Sequence, residues 1–319
     1  GHNSVTAGAD NDTITAAGGF NTIDAGAGDD KIDLSNGTNS VVAGSGVDTI
    51  TVASGTNTID AGVGADVITL LAGDTTVFAG SGNDIITASG GTNTIATDSG
   101  ENTVTLAGGH NSVTAGVDND TIETTGGFNT IDTGAGNDTI NLNGGTNTVF
   151  AGSGVDTITT TSGTNTVDAG DGADSITLNN GTNSVKAGTG ADTITVVSGT
   201  NTIDAGDGSD NITLSGGSNT LDAGADDDSI TINNGTNSVI AGSGVDTITV
   251  VGGTNTIDAG FDEDLITLNG GHNTVYGASG ADSITANDGA NVIDAGTEND
   301  TITAANGNNT ITAGEGDDK

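Results

Sequence analysis

The chain has 319 residues, of which 56 are Gly, and it contains no Pro, Cys, Met or Trp. Its 43 Asp and Glu stand against 3 Lys and Arg, a formal net charge of -40, which argues against nucleic acid or an anionic membrane surface as a partner. Self-repulsion of that size opposes a compact state unless counter-ions form part of the structure. A disordered acidic chain would show the same composition, but it would not space its acids regularly.

The acids are in fact spaced regularly. Asp occupies every eighteenth position from Asp12 to Asp318, at 17 of 18 positions, and the exception is Asn102. A second column, nine residues out of phase, holds Asn at 17 of 18 positions, with Thr75 as its exception. No insertion or deletion breaks this register, so we expect residues 1–319 to form one continuous array without an internal domain boundary.

One 18-residue unit, residues 37–54, shows the predicted elements in chain order. NSVVA (39–43) alternates polar and aliphatic residues as a half-buried strand does, and the Gly-rich turn AGSGVD (43–48) follows it. DTITV (48–52) is predicted as the second strand, and ASGTN (53–57) as the second turn. The pattern predicts an all-β fold, a parallel β-solenoid (β-roll) of about 18 coils with 18 residues and two short strands per coil.

The inward side chains of this unit form a thin apolar stripe. Val41 and Ala43 are expected to face inward from the first strand, and Ile50 and Val52 from the second. A single coil cannot bury such a stripe alone, so the fold has to be stabilised by stacking of neighbouring coils.

The turn before each Asp carries a recurring motif. AGSGVDTIT (43–51), AGVGADVIT (61–69) and AGDGADSIT (169–177) follow the pattern x-G-x-G-x-D-x-U-x, in which U is a large aliphatic residue. Over its whole length the chain resembles the RTX family of secreted bacterial proteins, whose glycine-rich nonapeptide binds calcium in a β-roll. The resemblance implies that Ca²⁺ ions lie between consecutive turns, held by turn carbonyls and Asp carboxylates.

Carried over to this chain, the resemblance implies a set of metal ligands. About 16 ions would bring about +32 charges and lower the net charge from -40 to about -8. The implied ligands are Asp12, Asp30, Asp48, Asp66, Asp84, Asp120, Asp138, Asp156, Asp174, Asp192, Asp210, Asp228, Asp246, Asp264, Asp282 and Asp300.

The second nonapeptide of each coil departs from the family pattern, because Asn stands where the family has a ligand Asp. Asn is neutral, so we expect one row of calcium rather than two, and a ladder of bonded Asn amides on the other side. In the calcium row, the turn 96–104 has Asp98 in place of its first Gly and Asn102 in place of its Asp, which makes calcium doubtful there. Ala278 likewise replaces an expected Gly.

Acidic residues also replace the second Gly of several turns in the calcium row. They either add a metal ligand or are simply residues that tolerate a positive φ, and the sequence leaves both alternatives open. They are Asp10, Asp118, Asp226, Asp262 and Glu298.

No catalytic constellation is apparent, and we expect no enzyme. His2, His110 and His272 occupy equivalent turn positions many coils apart, so they cannot form a triad or a zinc site. There is no Cys, and no Ser has a base beside it. Outward acids such as Asp24 and Asp60 lack a cleft that would separate their pKa values.

Two outward columns of Thr flank the inward Ile of the second strand, as in Thr49 and Thr51. A regular Thr-x-Thr array on a β-solenoid looks like the ice-binding face of several antifreeze proteins, which makes ice an alternative, less favoured partner. The first column is interrupted where ordered water would need regularity, and Thr favours exposed strands in any case. The interruptions are Lys31, Val67, Ile85, Asn211 and Leu265.

These observations favour a calcium-stabilised structural repeat protein of a bacterial surface layer, filament or long adhesin. We expect it to lie outside the cell or on its surface, to insert no segment into a membrane, and to bind copies of itself or flanking domains of a longer protein. Besides ice binding, the alternative function is an accessory repeat region of a secreted enzyme or toxin. The length and uniformity of the array favour the structural role.

Overall fold

The computed structural model describes residues 1–319 as 35 strands joined by turns. The chain divides into two compact units, Gly1–Thr157 and Ile158–Lys319. Each unit is a parallel β-solenoid with two strands per coil, which confirms the predicted fold class. The prediction of one continuous array over 1–319 stays a prediction. No helix long and apolar enough to span a lipid bilayer is present.

In each unit the strands form two walls, which we call the long-strand wall and the short-strand wall, and they are numbered in chain order. The long-strand wall contains β1 (His2–Gly8), β3 (Phe20–Ala27), β5 (Thr38–Ser45), β7 (Thr56–Val63), β9 (Asp74–Ser81), β11 (Thr92–Ala96), β13 (His110–Val117), β15 (Phe128–Ala135), β17 (Thr146–Ser153), β19 (Thr164–Asp171), β21 (Thr182–Thr189), β23 (Thr200–Asp207), β25 (Ser218–Ala225), β27 (Thr236–Ser243), β29 (Thr254–Phe261), β31 (His272–Tyr276), β33 (Ala290–Asp294) and β35 (Asn308–Thr312).

The short-strand wall begins directly after each residue of the Asp column. It contains β2 (Thr13–Ala17), β4 (Lys31–Ser35), β6 (Thr49–Val52), β8 (Val67–Leu70), β10 (Ile85–Ala88), β12 (Thr103–Leu106), β14 (Thr121–Thr124), β16 (Thr139–Leu142), β18 (Thr157–Thr160), β20 (Ser175–Leu178), β22 (Thr193–Val196), β24 (Asn211–Leu214), β26 (Ser229–Ile232), β28 (Thr247–Val250), β30 (Leu265–Leu268), β32 (Ser283–Ala286) and β34 (Thr301–Ala304).

Neighbouring strands of a wall are parallel and pair with an offset of one full coil. In the first unit Ile50 of β6 lies opposite Ile68 of β8, and in the second unit Ile194 of β22 lies opposite Ile212 of β24. Each column of the sequence therefore becomes a row of equivalent positions, mostly with like side chains, that runs across the strands. Such rows are what a parallel ladder in strict register produces.

The core of each unit lies between the two walls. Ile50 and Val52 are fully buried on the short-strand wall, and Val41 and Ala43 are buried on the long-strand wall, as predicted. Full burial of one such aliphatic side chain stabilises the fold by about 1.5–3 kcal/mol. Ala fills the second inward position of most long strands, for example Ala43 of β5, and is fully buried there.

The long strands extend further than the sequence predicts. We expected a strand over 39–43 followed by a turn, whereas β5 runs over Thr38–Ser45 and includes the first Gly of the turn motif. That residue, Gly44, has a φ of 117° but still lies opposite Gly26 and Gly62 in the neighbouring strands. Because every coil bends in the same way at the same place, the ladder continues through a backbone conformation that would end an ordinary strand.

The predicted Asn ladder is present at the start of the long strands and points into the core. Nδ2 of Asn21 donates to Oδ1 of Asn39 at 2.6 Å, and Nδ2 of Asn39 donates to Oδ1 of Asn57 at 2.6 Å. Nδ2 of Asn21 also donates to the carbonyl of Gly18 at 3.1 Å, which closes the turn within its own coil. The same amide bonds occur in the second unit, for example from Asn183 to Asn201 at 2.7 Å. These neutral side chains satisfy one another without a metal.

Replacement of Thr75 by Asn is expected to stabilise the first unit, because Thr75 interrupts the ladder. Nδ2 of Asn57 reaches the Thr75 hydroxyl at 3.4 Å, and the buried Oδ1 of Asn93 accepts no hydrogen bond. An amide at position 75 could accept from Asn57 and donate to Asn93, which should raise the free energy of unfolding by about 1 kcal/mol. Denaturant unfolding in saturating calcium measures this change, with Thr58→Asn on the exposed face as the control. Equal midpoints for the two variants would contradict the expectation.

Candidate metal centre

The Asp column closes the turn that leads from each long strand into the next short strand. Asp66 has no exposed surface, and its Oδ1 accepts the backbone N–H of Asp48, one coil earlier, at 2.7 Å. The backbone N–H of Asp66 in turn donates to Oδ1 of Asp84 at 2.8 Å. The row therefore has a direction, since each carboxylate bonds to the backbone of the preceding coil.

The second Gly of the motif allows the coils to come this close. Gly64 has a φ of 151°, and a Cβ added there would lie 1.6 Å from the carbonyl oxygen of Gly46. A side chain at Gly64 would therefore force the backbone of one of these two coils to move. The Gly spacing of the motif thus places turn carbonyls and the Asp carboxylate at one edge of the stack.

In most members of this row the other oxygen of the carboxylate, Oδ2, is buried and receives no hydrogen bond. Burial of a charged oxygen without a partner is strongly unfavourable, so the row lacks a partner that bears positive charge. The chain offers only three Lys and Arg in total, too few to neutralise it. The Oδ2 atoms without a donor include those of Asp30, Asp48, Asp66, Asp84, Asp120, Asp138, Asp192, Asp210, Asp228, Asp246, Asp264, Asp282 and Asp300.

The electrostatics of the row agree with this geometry. Burial raises the pKa of the Asp66 carboxyl to about 6; the N–H of Asp48 lowers it in part, and the charges of Asp84 and Asp48 raise it again. Burial likewise raises the pKa of Asp228 and that of Asp264 to about 7. A bound cation would remove this penalty, because it favours the ionised form.

The donors present fit calcium. No three His, Cys, Asp or Glu side chains converge on one point, so an ion in this row would complete its shell with turn carbonyls. Carboxylate and carbonyl oxygens in a flexible turn suit Ca²⁺, whose coordination is less strict than that of Mg²⁺. The Asn ladder on the other side offers no carboxylate, and the single row of calcium stays a prediction.

Four of the five acidic residues at the second Gly position also have a positive φ, at smaller angles than the 151° of Gly64, whereas Asp10 does not. The φ angles are 106° at Asp118, 78° at Asp226, 77° at Asp262 and 86° at Glu298. Oδ2 of Asp118 accepts the N–H of Gly100 at 2.9 Å, and Oδ2 of Asp262 accepts that of Gly244 at 3.3 Å. These contacts support the tolerance of positive φ at these positions, whereas a ligand role remains a prediction.

A second set of turn contacts was not predicted from the sequence. Where the residue directly before the column Asp is Asn or Asp, its Oδ1 accepts a backbone N–H from the following coil. Oδ1 of Asp29 accepts from Val47 at 2.9 Å, and Oδ1 of Asn137 accepts from Val155 at 2.8 Å. This direction is opposite to that of the column Asp. The frequent Asn or Asp immediately before the column Asp was the available signal.

The His residues do not form a site, and their placement differs from the prediction. They lie at the first position of long strands rather than in turns, because β1 and β13 begin at His2 and His110. The rings of His2 and Phe20 stack with centroids 4.8 Å apart, and those of His110 and Phe128 stack at 4.9 Å. A His followed by Phe at the same position of the next coil is the sequence signal for this contact, which was missed.

The repeated turn matches a known protein family. The family model described as "RTX calcium-binding nonapeptide repeat (4 copies)" matches almost the entire chain. The matched segments are residues 6–41, 34–68, 42–77, 70–104, 98–130, 114–149, 123–158, 159–194, 195–230, 231–266, 249–284 and 285–319.

Similarity to individual proteins is more limited. No curated protein matches the chain. Among solved structures, the chain is similar to a hyperactive, Ca²⁺-dependent, β-helical antifreeze protein from an Antarctic bacterium, with 22% identity over 90% of this chain and 84% of that chain, and a TM-score of 0.36. Members of the matched family bind Ca²⁺ through this repeat, and the match covers both units. The chain belongs to the RTX calcium-binding nonapeptide repeat family.

Proposed function

We propose that the chain is a calcium-stabilised structural repeat protein that works outside a bacterial cell, in a surface layer, a filament or a long adhesin. The observation that carries this proposal is the row of buried carboxylates whose Oδ2 atoms have no donor. A row of this kind runs through each unit, between the coils rather than in a cleft. Its purpose is therefore best understood as holding the fold together.

In this proposal the sixteen aspartates of the predicted ligand set hold the ions together with carbonyls of the Gly-rich turns. Bound calcium would supply the positive charge that the buried carboxylates require. The protein positions the carboxylates. A backbone N–H fixes Oδ1, as in the bond from Asp48 to Asp66, and this holds Oδ2 at the turn. The Asn ladder stabilises the opposite edge of each coil without metal.

Extracellular placement follows from calcium supply and from the family. Extracellular calcium modules bind in the range of about 10⁻⁴–10⁻³ M, a concentration found outside cells. RTX repeat proteins are typically secreted, so the chain would fold after export, in the calcium-rich extracellular medium. The proposal assigns no catalytic step to any residue.

No specific observation favours either alternative function, an accessory repeat region or ice binding. An accessory region of a secreted enzyme or toxin would use the same calcium row. For ice binding, the outer Thr column is interrupted by residues such as Val67 and Leu265, and the second Thr column is only half-exposed, as at Thr51 and Thr69. A regular, fully exposed array would be required to order water along a face.

Self-assembly is tested by sedimentation velocity and electron microscopy of the purified chain. In about 5 mM calcium, above the roughly 10⁻⁴–10⁻³ M affinities of extracellular sites, the sedimentation coefficient should rise with protein concentration, and filaments or sheets should appear. Magnesium at the same concentration is the matched control and should leave the chain unassembled. A calcium-loaded chain that stays monomeric at every concentration would contradict a surface layer or a filament, and would leave the long adhesin and calcium binding intact.

A further inference from the structure

Asn102 lies in the Asp row and keeps the bond that defines it. Its side chain is buried, and its Oδ1 accepts the backbone N–H of Asp84 at 2.9 Å. Its own backbone N–H donates to Oδ1 of Asp120 at 2.8 Å. The exchange of Asp for Asn therefore leaves the contacts between coils unchanged.

The other side-chain atom of Asn102 has the opposite polarity to its counterparts. Its Nδ2 donates to the carbonyl of Gly100 at 2.7 Å. In the preceding coil the same position is Oδ2 of Asp84, a buried acceptor without a donor. At Asn102, an N–H is thus directed at a turn carbonyl where the neighbouring coils present only acceptor oxygens.

The rest of this turn also satisfies its polar groups internally. The hydroxyl of Thr97, which stands where most coils have Ala, donates to the carbonyl of Ala115 at 2.7 Å. The N–H of Gly100 donates to Oδ2 of Asp118 at 2.9 Å. Asp98 takes a φ of 65°, and the long strand of this coil ends early, at Ala96. The turn thus differs from the others at several positions, and two of the differences, Thr97 and Asn102, add a side-chain donor that bonds to a backbone carbonyl.

We infer that the Asn102 amide takes the place of a calcium ion, so that the turn 97–102 binds no metal and interrupts the calcium row of the first unit. The amide N–H neutralises the Gly100 carbonyl, and the loss of one carboxylate charge removes the demand for a cation. This inference rests on the proposed calcium row. It adds that a coil binds no ion where Asn replaces the Asp of the row. By this rule, an Asn placed at another position of the row should do the same.

The test is a count of bound calcium per chain by native mass spectrometry in saturating calcium. Asn102→Asp is expected to bind one ion more than the wild-type chain, and Asp66→Asn one ion fewer. Asn83→Asp is the matched control, because residue 83 is exposed in the adjacent coil and Asp29 shows that Asp can make its backbone bond. This control adds the same charge outside the row and should leave the count unchanged.

A second measurement separates replacement of the ion from simple loss of a ligand. Thermal melting in calcium should be nearly unchanged for Asp66→Asn, because the amide can donate to the Gly64 carbonyl, and clearly lowered for Asp66→Ala. An unchanged count for a folded Asn102→Asp, or equal melting temperatures for Asp66→Asn and Asp66→Ala, overturns the inference and leaves the calcium row standing. A wild-type chain that binds no calcium overturns the proposed function itself.

Discussion

Removal of calcium is expected to unfold the chain: in EGTA the β-sheet signal in circular dichroism should disappear, and millimolar calcium should restore it. The formal charge of -40 and the buried carboxylates without donors both oppose the fold when no cation is bound. Ligands that bind only the native state stabilise it by mass action, about 2.7 kcal/mol for one site at 100 times its dissociation constant. Several such sites together exceed the roughly 5–15 kcal/mol that typically stabilises a domain.

The specificity of this effect is checked with magnesium. Because Mg²⁺ demands stricter octahedral geometry and dehydrates reluctantly, it should restore far less β-structure than calcium at equal concentration. Ionic strength is matched with a monovalent salt, so that general screening of the surface charge is separated from binding. A β-sheet signal that persists unchanged in EGTA would refute calcium-dependent folding.

Acidification of the metal-free chain is expected to restore β-structure that is absent at neutral pH. In the row, burial raises the folded-state pKa of Asp66 and Asp84 to about 6 and that of Asp228 and Asp264 to about 7. The pKa of an Asp in an unfolded chain is about 3.9. The folded state therefore binds more protons than the unfolded state between about pH 4 and pH 7. Its stability is greatest below that window and is lost as the pH rises through the folded-state values.

With calcium bound, the dependence of stability on pH should have the opposite sign, so that stability falls as the pH is lowered. Protons and calcium compete for the same oxygens, so acidification of the loaded chain weakens ion binding and lowers its stability. Circular dichroism between pH 8 and pH 5, in metal-free buffer and in saturating calcium, measures both slopes. Ordinary surface carboxylates titrate near about pH 4, so a gain of structure above pH 5 reports on the row. Parallel slopes in the two buffers would contradict carboxylates that serve as the calcium ligands.

The period of the sequence was sufficient to predict the fold, the rows and the inward residues. An offset of one coil brings like residues together, which is why the Asn ladder and the buried Ile50 could be foreseen. The period does not determine whether a side chain forms its hydrogen bond with the preceding coil or with the following coil. That choice depends on turn geometry, so the opposite directions of the Asp66 and Asp29 bonds were not predictable. The long strands were also underestimated, because a Gly at positive φ usually ends a strand.

The candidate site was predictable at the level of residue type. The Asp column, its Gly spacing and the defect at Asn102 are visible in the sequence. The donor-free Oδ2 atoms and the bond from Asn102 to Gly100 required coordinates, since a carboxylate and an amide of the same shape differ only in which partner they find. The His and Phe stacks depend on ring orientation, which no spacing rule specifies.

The strict offset of one coil between partners also bears on how such a chain changes in evolution. The strand pairings and the Asp and Asn rows join like positions of adjacent coils. The loss or gain of the codons for one whole coil therefore leaves each remaining coil with a neighbour of the same kind, whereas a single inserted codon would misalign these contacts at that point. Insertions and deletions are thereby restricted to whole coils. The segment GHNSVTAG, which begins at Gly1 and again at Gly109, has the separation of six coils that such duplication produces. Length is thus the property of this protein that selection can adjust most freely.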